Sequence, residues 1–243
     1  MSHMRLDRPL SREDMQMDDT ETGCFARSAV LFDFDGTIAD TGPAVMRAAA
    51  YTLTSHGYSL DEVGNLQLLI GPPIVDGFME VAHLSHDEAA GLVGAYREAF
   101  EHMTRPEDYP VFPGMAELIA ALSAAGAKVG VATSRLQHSA EKMIATLDLP
   151  PFDALVGRID GVRHTKEESV RACLEVLGAT PAEAVLIGDR RFDVEGAHAV
   201  GLPCIGVFRD EEARRELVEA GADALCTTAE ELASLLGVRL SVQ

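Results

Sequence analysis

The sequence predicts an α/β protein whose core is a doubly wound, mainly parallel sheet that carries one all-helical insertion. An apolar run, Ala29 to Phe32, is typical of a buried strand and leads directly into an acidic stretch. No strand-like segment follows between Pro43 and Tyr109, whereas strand and helix patterns alternate from Gly114 onward. Such alternation indicates a parallel sheet with helices on both faces, and 243 residues suit one core domain with an insertion.

The insertion is predicted to contain four helices. The second follows the capping-box pair Ser59 and Glu62 and ends at Gly71-Pro72-Pro73. The others are expected over 44–56, 74–82 and about 87–103. Glycine and proline breaks flank the insertion, as hinges would.

The alternating part of the chain supplies the rest of the predicted sheet. Five further strands are expected, over 127–132, 153–156, 184–187, 204–207 and 224–226. The helices between them are expected over 115–125, 137–147, 165–177, 193–200, 211–220 and 229–236. In a sheet of this kind, ligands bind at the carboxyl ends of the strands.

Composition excludes several classes of function. The formal net charge of −19 makes a nucleic-acid polymer an improbable partner. No apolar run reaches membrane-spanning length, so no membrane partner is expected. The four cysteines form no close pair, which favours reduced thiols and a cytoplasmic location. Residues 1–27 are polar, lack a signal-peptide core and are expected to be largely disordered.

The first strand ends in two carboxylates, Asp33 and Asp35. Residues two apart in a strand point to the same side, so these acids start as neighbours. Both cannot be anionic at low cost unless a positive charge lies beside them. The pair therefore indicates a divalent metal site or an acid/base pair; the simpler alternative is a solvated strand end.

Other polar residues fall at the ends of other predicted strands. These are Thr133 and Ser134 after one strand and Asp189 after another, with Lys166 at the start of a helix. Each alone has an ordinary explanation, such as a helix cap or a solvated lysine. Together they provide carboxylates for a hard cation and a hydroxyl and an ammonium for an anion. Because Mg²⁺ prefers oxygen ligands and phosphate oxygens, the set indicates phosphoryl transfer.

Four motifs in order give the sequence a family resemblance. They are D-F-D-G-T at 33–37, V-A-T-S at 131–134, Lys166, and G-D-R-R-F-D at 188–193. The sequence resembles the phosphatases of the haloacid dehalogenase superfamily, and in particular the subgroup of phosphoglycolate phosphatases and 5'-nucleotidase-like proteins. The resemblance implies a Rossmann-like core and a helical cap.

The resemblance also implies roles for the acidic residues. Asp33 would attack phosphorus and form an aspartyl phosphate, and Asp35 would act as the acid and then the base. Mg²⁺ would be held by Asp33, the backbone carbonyl of Asp35 and Asp189, with Asp193 in support.

The remaining site residues would bind the substrate. Lys166 and Thr133 would stabilise the phosphoryl oxygens, while Gly36 and Ser134 would let backbone N–H groups approach them. The candidate contacts to the leaving group are Arg47, Arg135 and the Gly71-Pro72-Pro73 turn.

The predicted organisation is a tail over 1–27, a core over 28–42 and 110–243, and a cap over 43–109. The cap is expected to close as a lid, with hinges near 36–42 and 110–114. An enclosed site suits a small phosphorylated metabolite, and phosphoglycolate and a nucleoside monophosphate both stay open as substrates. The sequence does not indicate an oligomeric state.

Other functions remain compatible with the same residues. A sugar phosphomutase of the β-phosphoglucomutase type shares the nucleophile and the cap. A phospho-accepting signalling module lacks the D-x-D pair, and a dehalogenase has no need for the acid Asp35. A non-catalytic binding protein would leave the intact site unexplained. Two departures from the subgroup, Arg135-Leu136 and Phe208-Arg209-Asp210, lie where loops shape the site and leave the substrate open.

Overall fold

A single parallel sheet forms the centre of the computed structural model, which describes residues 23–240. Within that range its strands are β1 (Ala29–Phe32), β2 (Lys128–Leu136), β3 (Ala154–Arg158), β4 (Ala184–Gly188), β5 (Cys204–Val207) and β6 (Ala224–Cys226). They lie in the order β3-β2-β1-β4-β5-β6, and every pair of neighbours is parallel. The predicted α/β fold with a mainly parallel sheet is confirmed.

Helices cover both faces of this sheet. The core helices are α4 (Met115–Ala124), α5 (Gln137–Ile144), α6 (Lys166–Leu177), α7 (Arg191–Val200), α8 (Glu211–Ala220) and α9 (Ala229–Leu235). Val30 and Phe32 of β1 belong to the apolar cluster formed with α4, α5 and α9. Ala29 and Leu31 belong to the opposite cluster, formed with α6, α7 and α8. The period of two along the strand thus separates the two layers of a doubly wound fold.

The segment between β1 and α4 is helical, as predicted. It contains α1 (Gly42–Ser55), α2 (Ile74–Ala82) and α3 (His86–Met103). The start of α3 is fixed by a capping box, in which Ser85 and Glu88 bond each other's backbone N–H groups. These three helices match the predicted ranges closely.

The second of the four helices predicted for this segment does not form. No α-helix lies between Ser59 and Gly71; only a 3₁₀ turn, Leu66–Leu69, is formed there. The side chain of Asn65 accepts a hydrogen bond from the backbone N–H of Gln67 at 3.0 Å. Asparagine competes well for local backbone groups, so it starts this short turn instead of continuing a longer helix.

Strand β2 is longer than the sequence indicates. It was expected to end at Ala132 but continues to Leu136, so Thr133 to Arg135 belong to it. Ala132 pairs with Val156, and Leu136 pairs with Arg158. Between these two pairs β2 advances by four residues while β3 advances by two. A bulge of this kind redirects side chains, and here it lies next to the predicted phosphate-binding residues.

The amino-terminal end of the described chain packs against α9. The backbone N–H of Gly23 donates to Ser234 O at 2.7 Å, and that of Phe25 donates to Leu235 O at 3.0 Å. Residues 23–27, which the sequence assigned to the tail, are therefore attached to the core. The prediction of disorder for residues 1–22 falls outside the described range. From residue 23 to residue 240, no helix is both long enough and apolar enough to cross a membrane.

Candidate active site

Strands β1 and β4 place two acids side by side at the carboxyl edge of the sheet. Phe32 is paired with Ile187, and the backbone N–H of Asp33 donates to Ile187 O at 2.8 Å. Asp33 therefore follows β1 at the level where Gly188 ends β4 and Asp189 comes next. This is the strand-end meeting point that the sequence predicts.

Lys166 supplies a buried positive charge at this edge. It is the first residue of α6, whose start is capped by Thr165 and Glu168. Its Nζ lies 2.6 Å from Asp33 Oδ1 and 2.6 Å from Asp193 Oδ1. Helix α7 packs closely over it, because a Cβ on Gly196 would lie 2.7 Å from Lys166 Cγ. The ammonium is thus fixed between two carboxylates.

Asp193 has a structural role as well as an electrostatic one. Its Oδ2 accepts hydrogen bonds from the backbone N–H groups of Asp189 and Arg190, at 3.1 and 3.0 Å. These bonds cap the amino terminus of α7, where a negative charge is favourable. Asp193 therefore orients the loop that carries Asp189.

Gly36 provides the space that Asp189 occupies. Its φ is 77°, and a Cβ at this position would collide with the Asp189 carboxylate. The Thr37 hydroxyl donates to Asp189 Oδ1 at 3.2 Å. The Gly36 N–H donates to Ala39 O at 2.9 Å, and its predicted role of letting backbone N–H groups approach a phosphate stays a prediction.

The site carries more negative than positive charge. Asp33, Asp189 and Asp193 each offer an oxygen within 4.8 Å of the others. Burial raises the pKa of Asp33 to about 7, aided by the charges of Asp193 and Asp35 and opposed by Lys166. Burial, together with Asp193 and Asp33, also raises the pKa of Asp189 well above its usual value. A hard divalent cation with oxygen ligands fits this set.

The side chain of Asp35 has different partners from that of Asp33. Its Oδ1 accepts a hydrogen bond from the Thr41 hydroxyl at 2.6 Å. Arg135 Nε donates to both of its oxygens, at 3.1 and 3.0 Å, and Nη2 also donates to Oδ1. The two acids line one cavity but belong to separate networks.

The Thr133 hydroxyl lies at the bulge of β2. It is buried and accepts a hydrogen bond from the backbone N–H of Arg135 at 3.1 Å. Thr133, Ser134 and Arg135 all line the cavity that contains Asp33. The structure therefore brings the predicted phosphate-binding strand end to the predicted nucleophile.

The cavity lies between the strand ends and the helical insertion and has a volume of about 290 Å³. Much of its wall is apolar or aromatic: Leu69, Ile70, Tyr96, Phe100, Tyr109 and Met143. Every arginine and lysine in its lining is paired with a carboxylate: Arg135 with Asp35, Arg97 and Arg158 with Asp160, and Lys142 with Glu101.

Arg47, a predicted contact to the leaving group, is not part of the cavity lining. Its Nη2 lies 2.7 Å from Asp108 Oδ2 and donates to Met103 O at 3.2 Å. The pair is partly exposed, with 42% of the Arg47 side chain and 27% of the Asp108 side chain accessible. The structure does not bring Arg47 to the other site residues.

Two arginines that the sequence did not single out as site residues connect the core to the insertion and its linkers. Arg190 Nη1 donates to Ile70 O at 2.6 Å, while its Nε lies 3.1 Å from both Glu216 oxygens. Arg209 Nη1 donates to Gly36 O at 2.7 Å and lies over the Phe112 ring. The only sequence signals for these roles are the position of Arg190 after Asp189 and the altered 208–210 loop.

Comparison with known proteins identifies relatives over most of the chain. The haloacid dehalogenase-like hydrolase family matches residues 30–207. A 5'-nucleotidase of Pseudomonas aeruginosa is 34% identical over 180 residues, which are 73% of this chain and 81% of that protein. The pyrophosphatase PpaX of Bacillus velezensis is 27% identical over 214 residues, or 87% of this chain and 97% of its own.

A solved structure gives the same result. A predicted phosphatase from Clostridium acetobutylicum superposes with a TM-score of 0.74 at 30% identity, covering 85% of this chain and 96% of that one. The family match includes the strand ends that carry Asp33, Thr133 and Asp189, together with Lys166. The chain therefore belongs to the haloacid dehalogenase-like hydrolase family.

Proposed function

We propose that this protein is a Mg²⁺-dependent phosphomonoester hydrolase that acts on a small phosphorylated metabolite through an aspartyl phosphate on Asp33. The observation that carries the proposal is the position of the Asp33 carboxylate. It is buried, contacts Lys166 at 2.6 Å, and belongs both to the acidic cluster and to the cavity lining.

Asp33 is the group best placed to attack phosphorus. Lys166 contacts Oδ1, and we assign the attack to Oδ2. The new bond joins this oxygen to phosphorus, and the bond from phosphorus to the leaving oxygen breaks. The Lys166 ammonium and the Thr133 hydroxyl stabilise the charge on the transferring group.

Asp35 handles the protons of both half-reactions. It delivers a proton to the leaving alcohol oxygen in the first and takes one from the attacking water in the second. The water oxygen bonds to phosphorus, the bond to Asp33 breaks, and inorganic phosphate and the free carboxylate are restored. Microscopic reversibility allows one carboxyl group to serve in both directions.

The carboxylates of Asp33, Asp189 and Asp193 would hold the metal, with the Asp35 backbone carbonyl as a further ligand. A bound Mg²⁺ neutralises charge on the phosphoryl group and on the carboxylates. The surplus of negative charge supports this assignment, because the single positive charge of Lys166 can balance only one of the three carboxylates in the cluster.

The cavity favours a nucleoside monophosphate over phosphoglycolate. Phosphoglycolate brings a second anion, for which the cations in the lining would have to leave their carboxylate partners. A nucleoside instead offers a broad, partly apolar body that suits the walls formed by Tyr96 and Phe100. The 5'-nucleotidase relative supports the same choice.

The buried free cysteines agree with a cytoplasmic location.

The reaction is tested by measuring phosphate release from the purified protein with and without Mg²⁺. We expect Asp33→Asn to lower kcat by about 10³-fold or more, because an amide is a poor nucleophile. Asp87→Asn, an exposed acid at the start of α3, is the matched control and should behave like wild type. Turnover at the wild-type rate by Asp33→Asn would overturn the assignment.

The substrate choice has its own test. We expect kcat/KM for nucleoside 5'-monophosphates to exceed that for phosphoglycolate by about 10-fold, the size of one well-made contact. The opposite preference would contradict the nucleoside proposal and leave the phosphatase proposal intact.

A further inference from the structure

Arg135 makes contacts that a simple substrate ligand would not need. Its guanidinium holds both oxygens of Asp35, and the two side chains are only 11% and 12% exposed. The same guanidinium lies 4.8 Å from the centre of the Phe100 ring, on α3 of the helical insertion. One side chain at the end of β2 therefore connects the proposed acid/base residue to the insertion.

This arrangement is unsuited to the acid step. A carboxyl group that exchanges a proton with a leaving oxygen must have an oxygen free to contact it, whereas Arg135 contacts both Asp35 oxygens and the Thr41 hydroxyl also donates to Oδ1. At least one of these donors has to release Asp35 before the leaving oxygen can take its place.

An alternative partner for Arg135 lies close by. Arg135 directly follows Thr133 and Ser134, the strand end that lines the cavity beside Asp33. Its guanidinium already interacts electrostatically with Asp33 as well as Asp35. A phosphoryl group bound at Asp33 would present oxygens that a planar guanidinium binds as well as it binds a carboxylate.

We infer that Arg135 is a positioning residue that exchanges partners. In the absence of substrate, the guanidinium binds Asp35 and lies against Phe100 of α3. When the phosphoryl group enters, the guanidinium turns to the phosphoryl oxygens and releases Asp35 for proton transfer. This inference rests on the proposed function. It changes the predicted role of Arg135 from a contact to the leaving group to control over the acid/base residue.

Partner exchange predicts that Asp35 competes with phosphate for Arg135. The competition is measurable without turnover, by titrating inorganic phosphate into the Mg²⁺-loaded protein in a calorimeter. Four proteins complete a double-mutant cycle: wild type, Asp35→Asn, Arg135→Met and the double variant. Asp35→Asn removes the competing partner with almost no change of shape.

We expect Asp35→Asn to increase phosphate affinity by about 10-fold where Arg135 is present, and by less than about 3-fold in the Arg135→Met background. The smaller gain in affinity, without Arg135, comes from removing one negative charge near the phosphate. The additional gain with Arg135 present comes from its guanidinium, which becomes free to bind phosphate once Asp35 no longer competes for it. Equal gains in the two backgrounds would overturn the inference, because Arg135 would then not be shared.

Arg135→Lys provides a second cycle if Arg135→Met does not fold. Lysine keeps the positive charge but cannot hold both Asp35 oxygens in the fork geometry. In the Arg135→Lys background, Asp35→Asn should therefore increase phosphate affinity by less than it does when Arg135 is present. If wild-type protein neither binds phosphate nor hydrolyses any ester, the proposed function has failed; if it does both and the gains are equal, only the exchange has failed.

Discussion

The two ends of the cavity are built in different ways. At the sheet end, Asp33, Lys166 and Asp193 are buried, and Lys166 contacts both acids at 2.6 Å. At the insertion end, ion pairs such as Lys142–Glu101 are more than half exposed. Buried charges are costly to leave unpaired, whereas exposed pairs contribute little to stability. Under the proposed function, the buried contacts would hold the reacting groups rigidly and the exposed ones would adapt to the leaving group.

Two arginines of the core contact the insertion or its predicted hinges. Arg209 contacts Gly36 in the first hinge and Phe112 in the second. Arg190 contacts Ile70 in the insertion, and this contact crosses between the core and the proposed cap. If the insertion moves as a lid, the contacts of Arg190 and Arg209 must either break or move with it. These contacts therefore limit how far the two ends of the cavity can separate.

The largest effect is expected from removing the buried cation. Lys166→Met leaves Asp33 and Asp193 without their shared partner, or forces one of them to take up a proton. Breaking one side of a buried pair costs about 3–5 kcal/mol. We expect this loss in the free energy of unfolding, measured by urea denaturation, together with loss of phosphate release.

Lys142→Met is the matched control for this experiment. Its ammonium pairs with Glu101 on the exposed rim of the same cavity. We expect its unfolding curve to overlay that of the wild type. If both lysine variants were equally stable, the contrast between the two ends would be wrong.

A smaller, substrate-dependent effect is expected from Asp35→Asn. Loss of general acid catalysis typically costs ~10²–10⁴ in rate. An alkyl phosphate should show this loss in kcat/KM, which reports the half-reaction in which the leaving group departs, whereas an aryl phosphate, whose leaving group needs little help from a proton, should lose about 10-fold less. Asp40→Asn, an acid of the same loop, is the control. Equal losses for the two esters would rule out Asp35 as the acid.

The sheet end could be predicted from the sequence because its signals are local. β1, β5 and β6 were predicted to the residue, and α6, expected over 165–177, forms as Lys166–Leu177 behind a Thr165 cap. Parallel strands bring their carboxyl ends to one edge regardless of the order in which they pair. Asp33, Thr133 and Asp189 therefore had to meet once the strands were known.

The insertion end could not be predicted in the same way. Where the sheet end meets α3, the Arg135–Asp35 pair joins residues 100 positions apart, and its geometry depends on a bulge that arises from pairing with β3. The turn at Leu66–Leu69 replaced a predicted helix because one asparagine side chain captured a nearby N–H group. Such outcomes depend on contacts that no local pattern contains.

The smallest effect is expected from Arg47, in the insertion but outside the cavity lining. Arg47→Ala should leave kcat/KM for the best ester within about twofold of wild type, because this side chain pairs with Asp108 and lies outside the cavity lining. Arg97→Ala is the matched comparison, since Arg97 lies on α3 and does line the cavity. It should raise KM about 3-fold with little change in kcat, as expected for a contact made equally in the ground and transition states. A 10-fold or greater rise in KM for Arg47→Ala would show instead that the insertion closes further during turnover. In that case Arg47 would leave Asp108 and reach the substrate, as the sequence predicted.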